Sequence, residues 1–214
     1  MPIVLIILLL LAGIIFPKLI QYKRSQYKTE SGNRFFETIL NPKKYGEFLA
    51  FTYLEEYQIY RKILTNRFLV KEDQRSVELQ LIMISEAGIY VFDVNNYKGI
   101  LRGHPLQERW SQHYKNKEQT LKNPLLENQK RIQLLRESFS AIDQSRIKSF
   151  VLVNNDCTLE VEGYNSEEGR ILKMKELINE LNEDILETKQ VLSNQEVDKL
   201  YDRLKKETRR KGSG

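Results

Sequence analysis

Apolar residues follow three patterns along this chain. The N-terminus carries an unbroken apolar run, from Ile3 to Phe16. Further along, apolar residues recur at steps of three or four, which is typical of amphipathic helices, or fall in short runs and alternating positions, which is typical of strands. The chain is therefore expected to consist of an apolar N-terminal segment followed by a mixed α/β domain.

The N-terminal segment is apolar over the length that a bilayer requires. Residues 1–21 contain a single charged residue, Lys18, near the end of the segment, where it can reach the headgroups. About 20 apolar residues suffice to span the hydrocarbon core as a helix. The alternatives are a cleaved signal peptide and a buried core helix, but no basic residue precedes the run and no small-x-small cleavage site follows it. The sequence therefore predicts an uncleaved transmembrane helix over residues 1–21.

Basic residues follow this segment. Between residues 18 and 34 there are five of them, opposed only by Glu30: Lys18, Lys23, Arg24, Lys28 and Arg34. Positive charge is retained on the cytoplasmic side of a membrane, so the N-terminus is expected outside and the main domain in the cytoplasm. Residues 22–40 are polar and basic, and are predicted to be a tether.

Residues 41–155 carry the signals of one α/β domain. Asn41-Pro42 and Asn123-Pro124 each predict a helix start, because asparagine caps helices and proline suits their first position. Three strand-like runs lie between the two helices, and a buried one follows the second. These runs are residues 60–70, Val77–Ser85, Ile89–Asn95 and Phe150–Val153. Residues 156–211 are expected to add a short strand and two amphipathic helices, over 171–186 and 194–210.

Composition narrows the functional classes only slightly. The formal net charge of +5 is mildly basic and is compatible with nucleic acid or anionic lipid as a partner. A single cysteine, Cys157, excludes an intrachain disulfide framework and a multi-cysteine zinc site. No pattern indicates a small-molecule cofactor.

The hairpin of Val77–Ser85 and Ile89–Asn95 ends in residues that can carry chemistry. Asp93 and Asn95 are two positions apart and point to the same face of one strand, and Glu78 and Gln80 share a face of the other. Asp93 and Glu78 are a candidate two-carboxylate site for Mg²⁺, which prefers oxygen ligands. The alternative is that Asp93 and Asn95 only end a strand before a turn.

Five pieces of sequence, taken in order, resemble the nuclease-related domain family called NERD. They are YGEF (Tyr45–Phe48), the hairpin, NYKG (Asn96–Gly99), Trp110 and NPLLENQ (Asn123–Gln129). The resemblance covers roughly residues 41–155. It implies the PD-(D/E)xK nuclease superfamily and an αβββαβ core, here with added C-terminal helices and one preceding transmembrane helix.

The resemblance also assigns site positions, and several differ from the family pattern. The family's Gly-Glu pair is kept as Gly46 and Glu47. Its metal-binding aspartate, in Ile-Asp-His, corresponds to Gln80, and its Glu-x-Lys corresponds to Asp93 and Asn95. The glutamine of its later Asn-Pro-x-x-Gln corresponds to Glu127. The resemblance therefore implies a vestigial catalytic set of Glu47, Gln80, Asp93, Asn95 and Glu127.

These replacements weaken the chemistry of a nuclease. Gln80 offers a metal ion a neutral carbonyl oxygen, and Asn95 brings no positive charge to a transition state. Losing one preorganised electrostatic contact commonly lowers the rate by about 10²–10³. Glu78 is a possible substitute ligand that would restore a Mg²⁺ site together with Asp93.

Three functions follow as hypotheses. The first is a degenerate nuclease fold at the membrane that binds DNA, RNA or a protein partner, with Lys122, Lys130 and Arg131 as phosphate contacts. The second is an active Mg²⁺-dependent nuclease that uses Asp93 with Glu78 or Glu47. The third is a structural subunit of a membrane complex that docks through its C-terminal helices.

Overall fold

The structure is a computed structural model of the chain. It describes residues 2–70, 76–139, 146–161, 165–166, 169–188 and 190–210, and within these ranges it leaves out the side chains of residues 2, 5, 8, 70, 165 and 166.

Helices precede, flank and follow the strands. The N-terminal helices are α1 (Pro2–Arg24), α2 (Tyr27–Ser31), α3 (Phe35–Leu40) and α4 (Pro42–Glu56). The strands up to the next helix are β1 (Arg61–Val70), β2 (Ser76–Ser85), β3 (Gly88–Asn95), β4 (Gly99–Gly103), β5 (Arg109–Tyr114) and β6 (Lys117–Lys122). Then come α5 (Pro124–Ser138), β7 (Ile147–Val153), β8 (Cys157–Val161), β9 (Asn165–Ser166) and β10 (Gly169–Lys173). A short 3₁₀ turn (Met174–Glu176), α6 (Leu177–Glu187), α7 (Asn194–Glu207) and β11 (Arg209–Arg210) complete the described chain.

The strands form two sheets. The larger has the order β11-β1-β2-β3-β7-β10-β9, and the smaller has the order β6-β5-β4-β8. The first three strands are antiparallel neighbours, whereas β7 and β10 run parallel to β3. The chain therefore runs helix, three strands, helix, strand, with β4 to β6 inserted before α5. This confirms the predicted mixed α/β fold and the expected order of its elements.

The large sheet is covered by helices on both faces. On one face, residues of α4 and α6 such as Phe51 and Leu181 pack against Leu81 and Phe92. On the other face, α5 and α7 cover Ile82 and Val91. Both faces of β2 and β3 are therefore buried, which explains their nearly continuous apolar sequences.

Both predicted helix starts are confirmed with their caps. The side chain of Asn41 accepts hydrogen bonds from the backbone N–H groups of Lys43 and Lys44 at the start of α4. Asn123 caps α5 in the same way, by accepting from Leu125 and Leu126. The two caps fix where α4 and α5 begin relative to the ends of the hairpin strands.

The helix predicted over residues 171–186 begins later than its sequence pattern indicates. Residues 169–173 form β10, which pairs with β7, and α6 starts only at Leu177. Ile171 and Leu172 contribute to different core clusters on the two sides of the strand. Their apolarity therefore reflects a strand buried on both faces, which helix periodicity cannot distinguish over so short a run.

Residues 22–40 are not the polar tether that the sequence indicated. Helix α1 continues to Arg24, and α2 and α3 follow within the same stretch. Tyr22 and Tyr27 are buried in the core beside Phe48. The polar residues between them lie on the outside, which is why the segment's composition resembles that of a linker.

The exposure of the side chains of α1 changes near Lys18. Ten large apolar side chains between Ile3 and Phe16 are exposed, whereas residues 18–21 are partly covered and Tyr22 is buried. Among the residues that the structure describes, no helix has the length and apolar character that a membrane crossing demands. The transmembrane helix over residues 1–21 therefore stays a prediction.

The packing of Tyr27 predicts a stability effect that a tether would not show. Tyr27→Ala in the full chain in mild detergent should lower the free energy of unfolding by about 3–5 kcal/mol, the cost of deleting a buried aromatic side chain. The exposed neighbour Lys28, changed to alanine, should alter it by less than about 0.5 kcal/mol. Urea unfolding followed by the fluorescence of Trp110, the only tryptophan, measures both. Equal unfolding midpoints for the two variants would contradict the packing.

Candidate functional site

A side chain continues the pairing of β2 with β3 beyond the last backbone pair, at the end of the hairpin away from its turn. Backbone pairing between the strands runs from Ser85 and Gly88 to Leu81 and Phe92. At the next position the side-chain oxygen of Gln80 accepts a hydrogen bond of 2.8 Å from the backbone N–H of Val94. Gln80 is buried, so this amide takes the place of a backbone partner that would otherwise be missing. Its carbonyl oxygen is therefore already engaged.

The neighbouring strand is irregular at the same level. Asn66 of β1 has a φ of 56° and interrupts the pairing that continues at Thr65 and Arg67. Beyond this point the faces of β2 shift, because Leu79 packs with Ile82 and Ile84 rather than on the opposite face. The regular alternation on which Glu78 and Gln80 were expected to share a face therefore does not hold at this end of β2.

Asp93 lies buried on the side of the sheet that α5 covers. Its Oδ1 atom is 3.1 Å from Nη1 of Arg131, which projects from α5. Its Oδ2 atom accepts a hydrogen bond of 2.8 Å from the side-chain amide of Asn95. The guanidinium N–H is not aligned for a hydrogen bond, so the contact with Arg131 is mainly electrostatic. Asp93 is thus neutralised by a cation that belongs to the protein.

Glu78 pairs with a residue of a different helix from the one that pairs with Asp93. Its carboxylate lies 3.3 Å from Nζ of Lys43, at the start of α4. Helix α4 packs on the opposite face from α5, so the basic partners of Glu78 and Asp93 belong to different layers of helices, although Glu78 also lines a groove beside α5. The proposed pairing of these two carboxylates around one metal ion is not what the structure shows.

Glu47 is a second buried carboxyl group in this region. Its Oε1 atom accepts hydrogen bonds from Thr65 Oγ1 at 2.5 Å and from the Tyr27 hydroxyl at 3.1 Å. Thr65 Oγ1 also lies 2.6 Å from the backbone oxygen of Gln80, yet it has only one proton to donate. Burial is the main reason that the pKa of Glu47 is raised to about 7; nearby Glu78 adds to the rise, and the two hydrogen bonds and Lys43 oppose it. The raised pKa of Glu47 favours a protonated carboxyl group in this cluster.

Glu127 and the predicted phosphate contacts lie along α5. Lys130 donates a hydrogen bond of 2.8 Å to Glu127, and this bond holds the pKa of the Glu127 carboxyl below its usual value. Arg131 is directed inward to Asp93, so it is less available to a ligand than the sequence indicated. Lys122, at the end of β6, is exposed.

Two open grooves flank α5, and they differ in charge. The first, of about 500 Å³, is called the basic groove here, because its charged lining comprises Arg109, Lys122, Lys130 and Arg136 against Glu108 and Glu127. The second, of about 530 Å³, is called the acidic groove, because its charged lining comprises Glu78, Glu127 and Glu137 against Lys130 and Arg131. The acidic groove is the one that reaches Arg131 beside Asp93.

These residues do not form a site that fits Mg²⁺. The oxygen of Gln80 is taken by a backbone N–H, and Asp93 already has a cationic partner. In the described part of the chain no three His, Cys, Asp or Glu side chains converge so as to hold a metal ion. A nuclease-related fold is compatible with Mg²⁺ in general, but the ligands present here are committed to other partners.

Several residues of the site escaped the sequence interpretation. The role of Arg131 as partner of Asp93 depends on how α5 crosses β3, and no local pattern reveals it. Asn128 is fully buried and donates hydrogen bonds to the backbone of Val91 and to Ser149, which ties α5 to β3 and β7. Its position inside NPLLENQ was the available signal. The burial of Tyr27 has no signal in the local sequence, because its neighbours between residues 23 and 34 are mostly polar.

A comparison with protein-family models matches residues 42–154 to the nuclease-related domain, NERD. The match covers more than half of the chain. The chain belongs to the NERD family. This confirms the resemblance and extends over α4, the hairpin, α5 and β7. Neither the search of curated proteins nor the search of solved structures returned a significant match.

The raised pKa of Glu47 predicts how stability varies with pH. The unfolded chain loses this proton near 4.5 and the folded chain near 7, so the folded state binds the extra proton between these values. Stability from this group is complete below about pH 4.5, falls as the pH rises and levels off above about 7, a loss of about 3 kcal/mol.

Glu47→Gln isolates this effect, because the neutral amide oxygen still accepts from Tyr27 and Thr65. The free energy of unfolding should fall more for the original chain than for the variant between pH 5 and pH 8. Urea unfolding at several pH values measures the difference. A constant gap between the two proteins would show that Glu47 is ionised in the fold throughout this range.

Proposed function

We propose that this NERD-domain protein is attached to a membrane and no longer cleaves nucleic acid, but uses the fold as a docking module. The observation that carries the proposal is the ion pair of Asp93 with Arg131, where the resemblance implies a metal-binding carboxylate. A carboxylate whose charge is already balanced by an arginine of the same protein attracts a metal ion less strongly.

The other positions of the vestigial site support a loss of cleavage. Metal-dependent phosphodiester hydrolysis needs a metal held by carboxylates and a positive charge near the transition state. Gln80 has no negative charge to hold a metal ion, and Asn95 has no positive charge to place near a transition state. Both side chains are hydrogen-bonded within the hairpin. No observation favours a relocated pair of Glu78 and Asp93, since each has a basic partner on a different helix.

Membrane attachment is proposed to occur through α1. Each large apolar side chain favours leaving water by about 1.5–3 kcal/mol when fully buried. Ten such side chains are exposed between Ile3 and Phe16, which far exceeds the scattered apolar exposure of a soluble surface. The basic residues that follow, including Lys23 and Arg24, favour a cytoplasmic position for the domain.

The basic groove is proposed to receive the docked ligand, and its charge favours a nucleic acid backbone. Its lining carries four basic and two acidic side chains, whereas the acidic groove has three acidic and two basic ones. Phosphate groups gain affinity where lysine and arginine replace their counterions, so DNA or RNA fits the first groove and not the second. Docking of a protein through α6 or α7 lacks a comparable observation.

A cleavage assay tests the first part of the proposal. The full chain in detergent, incubated with DNA or RNA and Mg²⁺ or Mn²⁺, should cleave neither substrate faster than its Asp93→Asn variant does. The near-isosteric asparagine keeps the side-chain volume beside Arg131. Glu78→Gln serves as the matched test of a relocated site. Metal-dependent cleavage that both substitutions abolish would overturn the proposal in favour of an active nuclease.

A binding assay tests the second part. Lys122→Ala should weaken the binding of single-stranded or duplex nucleic acid and reduce the slope of log affinity against log salt by about one, the loss of one phosphate contact. Lys117 lies at the other end of the same strand, outside the groove lining, and Lys117→Ala should leave both quantities unchanged. Equal effects of the two variants, or binding that ignores salt, would exclude the basic groove.

A further inference from the structure

Helix α3 exposes two large apolar side chains one turn apart. Phe36 is 65% exposed and Leu40 is 78% exposed, although both belong to an ordered helix that contacts α4. Side chains four positions apart lie on the same face of a helix, so the two form one small surface. This surface, Phe36 and Leu40, is called the α3 patch. Its exposure is unexplained by the packing of the described residues.

The α3 patch lies at the level where α1 leaves the domain. Helices α1 and α4 run side by side in the same direction, as three contacts in order along both helices show. Lys18 lies 4.7 Å from the ring of Tyr45, Gln21 contacts Thr52, and the backbone N–H just after α1, at Gln26, donates to Glu55. The N-terminal end of α4 is therefore beside Lys18. Leu40 comes two residues before α4 begins, and so lies at that same end.

Side-chain packing joins α1 to α3. Tyr22 is buried, its ring lies 5.4 Å from that of Phe35, and its hydroxyl donates a hydrogen bond to the backbone oxygen of Asn33. Phe35 adjoins Phe36, so these contacts hold α3 and its patch beside the base of α1.

The charges at this level are mostly basic. Lys18 belongs to the base of α1, Lys43 begins α4 and pairs with Glu78, and the one acidic residue of α3, Glu37, forms an ion pair with Lys44. An apolar pair at the same level as three lysines and two carboxylates complements the boundary between anionic headgroups and acyl chains. A protein partner would not require this combination beside an apolar helix.

We propose that the α3 patch is a second membrane contact, which inserts into the headgroup region of the same anionic bilayer that receives α1 and so fixes the orientation of the domain. This inference rests on the proposed membrane attachment. It commits to a lipid surface as the occupant, because the patch lies at the level where the exposed part of α1 leaves the domain.

An environment-sensitive fluorophore on single cysteines tests the proposal. Cys157 is buried and is removed as Cys157→Ala, and the label is placed in turn at Leu40→Cys, Leu186→Cys and Leu10→Cys. The full chain is reconstituted into vesicles that contain an anionic phospholipid, with or without a headgroup-attached quencher. All three sites are exposed leucines, so the label should not disturb folding, which circular dichroism checks.

Leu186 is the matched control because it lies at the far end of α4. Asn182, one turn before it, accepts a hydrogen bond of 2.6 Å from Tyr57, which ends α4. The 15 residues of α4 place that end about 22 Å from the level of Leu40. The label at Leu40 should show a blue shift and quenching by the lipid, and the label at Leu186 should show neither.

The Leu10 label separates this inference from the attachment itself. Shielding at Leu10 and Leu40 but not at Leu186 supports both. If the Leu10 label is shielded but the Leu40 label shows no more blue shift or quenching than the Leu186 label, the α3 contact is overturned. The membrane attachment through α1 then still holds. An aqueous label at Leu10 overturns the attachment and the inference together.

Discussion

A carboxylate buried between a sheet and a helix needs a positive charge, and Asp93 obtains it from Arg131. The pair joins β3 to α5 at a position where the resemblance to the family implies a metal-binding carboxylate. Removing either partner from such a buried pair leaves an uncompensated charge, which typically costs about 3–5 kcal/mol. The contact therefore stabilises this domain and at the same time occupies the position from which a metal ion would act.

Internal contacts also engage the other polar side chains of the hairpin. Gln80 accepts a hydrogen bond from the backbone N–H of Val94, and the side-chain amide of Asn95 donates to Asp93. Both side chains are thus satisfied within the protein, as buried polar groups usually are. These contacts support the proposed loss of cleavage, because they engage positions where the resemblance implies catalytic groups.

Local signals in the sequence were sufficient for much of this fold, and tertiary contacts account for the rest. The Asn-Pro caps and the hairpin depend on neighbouring residues, so their patterns predicted α4, α5, β2 and β3. The ion pair of Asp93 with Arg131 and the turning of Glu78 to Lys43 depend on which helix covers which face. Residues 22–40 were misjudged because two buried tyrosines were hidden among polar neighbours.

The positions of α1 and α5 bear on how the proposed functions combine. Tyr27, just after α1, bonds to Glu47 of α4, so the N-terminal helices, α4 and one face of the sheet form a continuous body. Helix α5, which lines the basic groove, packs on the other face. A ligand in the basic groove would therefore be separated from α1 by the full thickness of the sheet. Docking and membrane attachment can thus occur together without competing for surface.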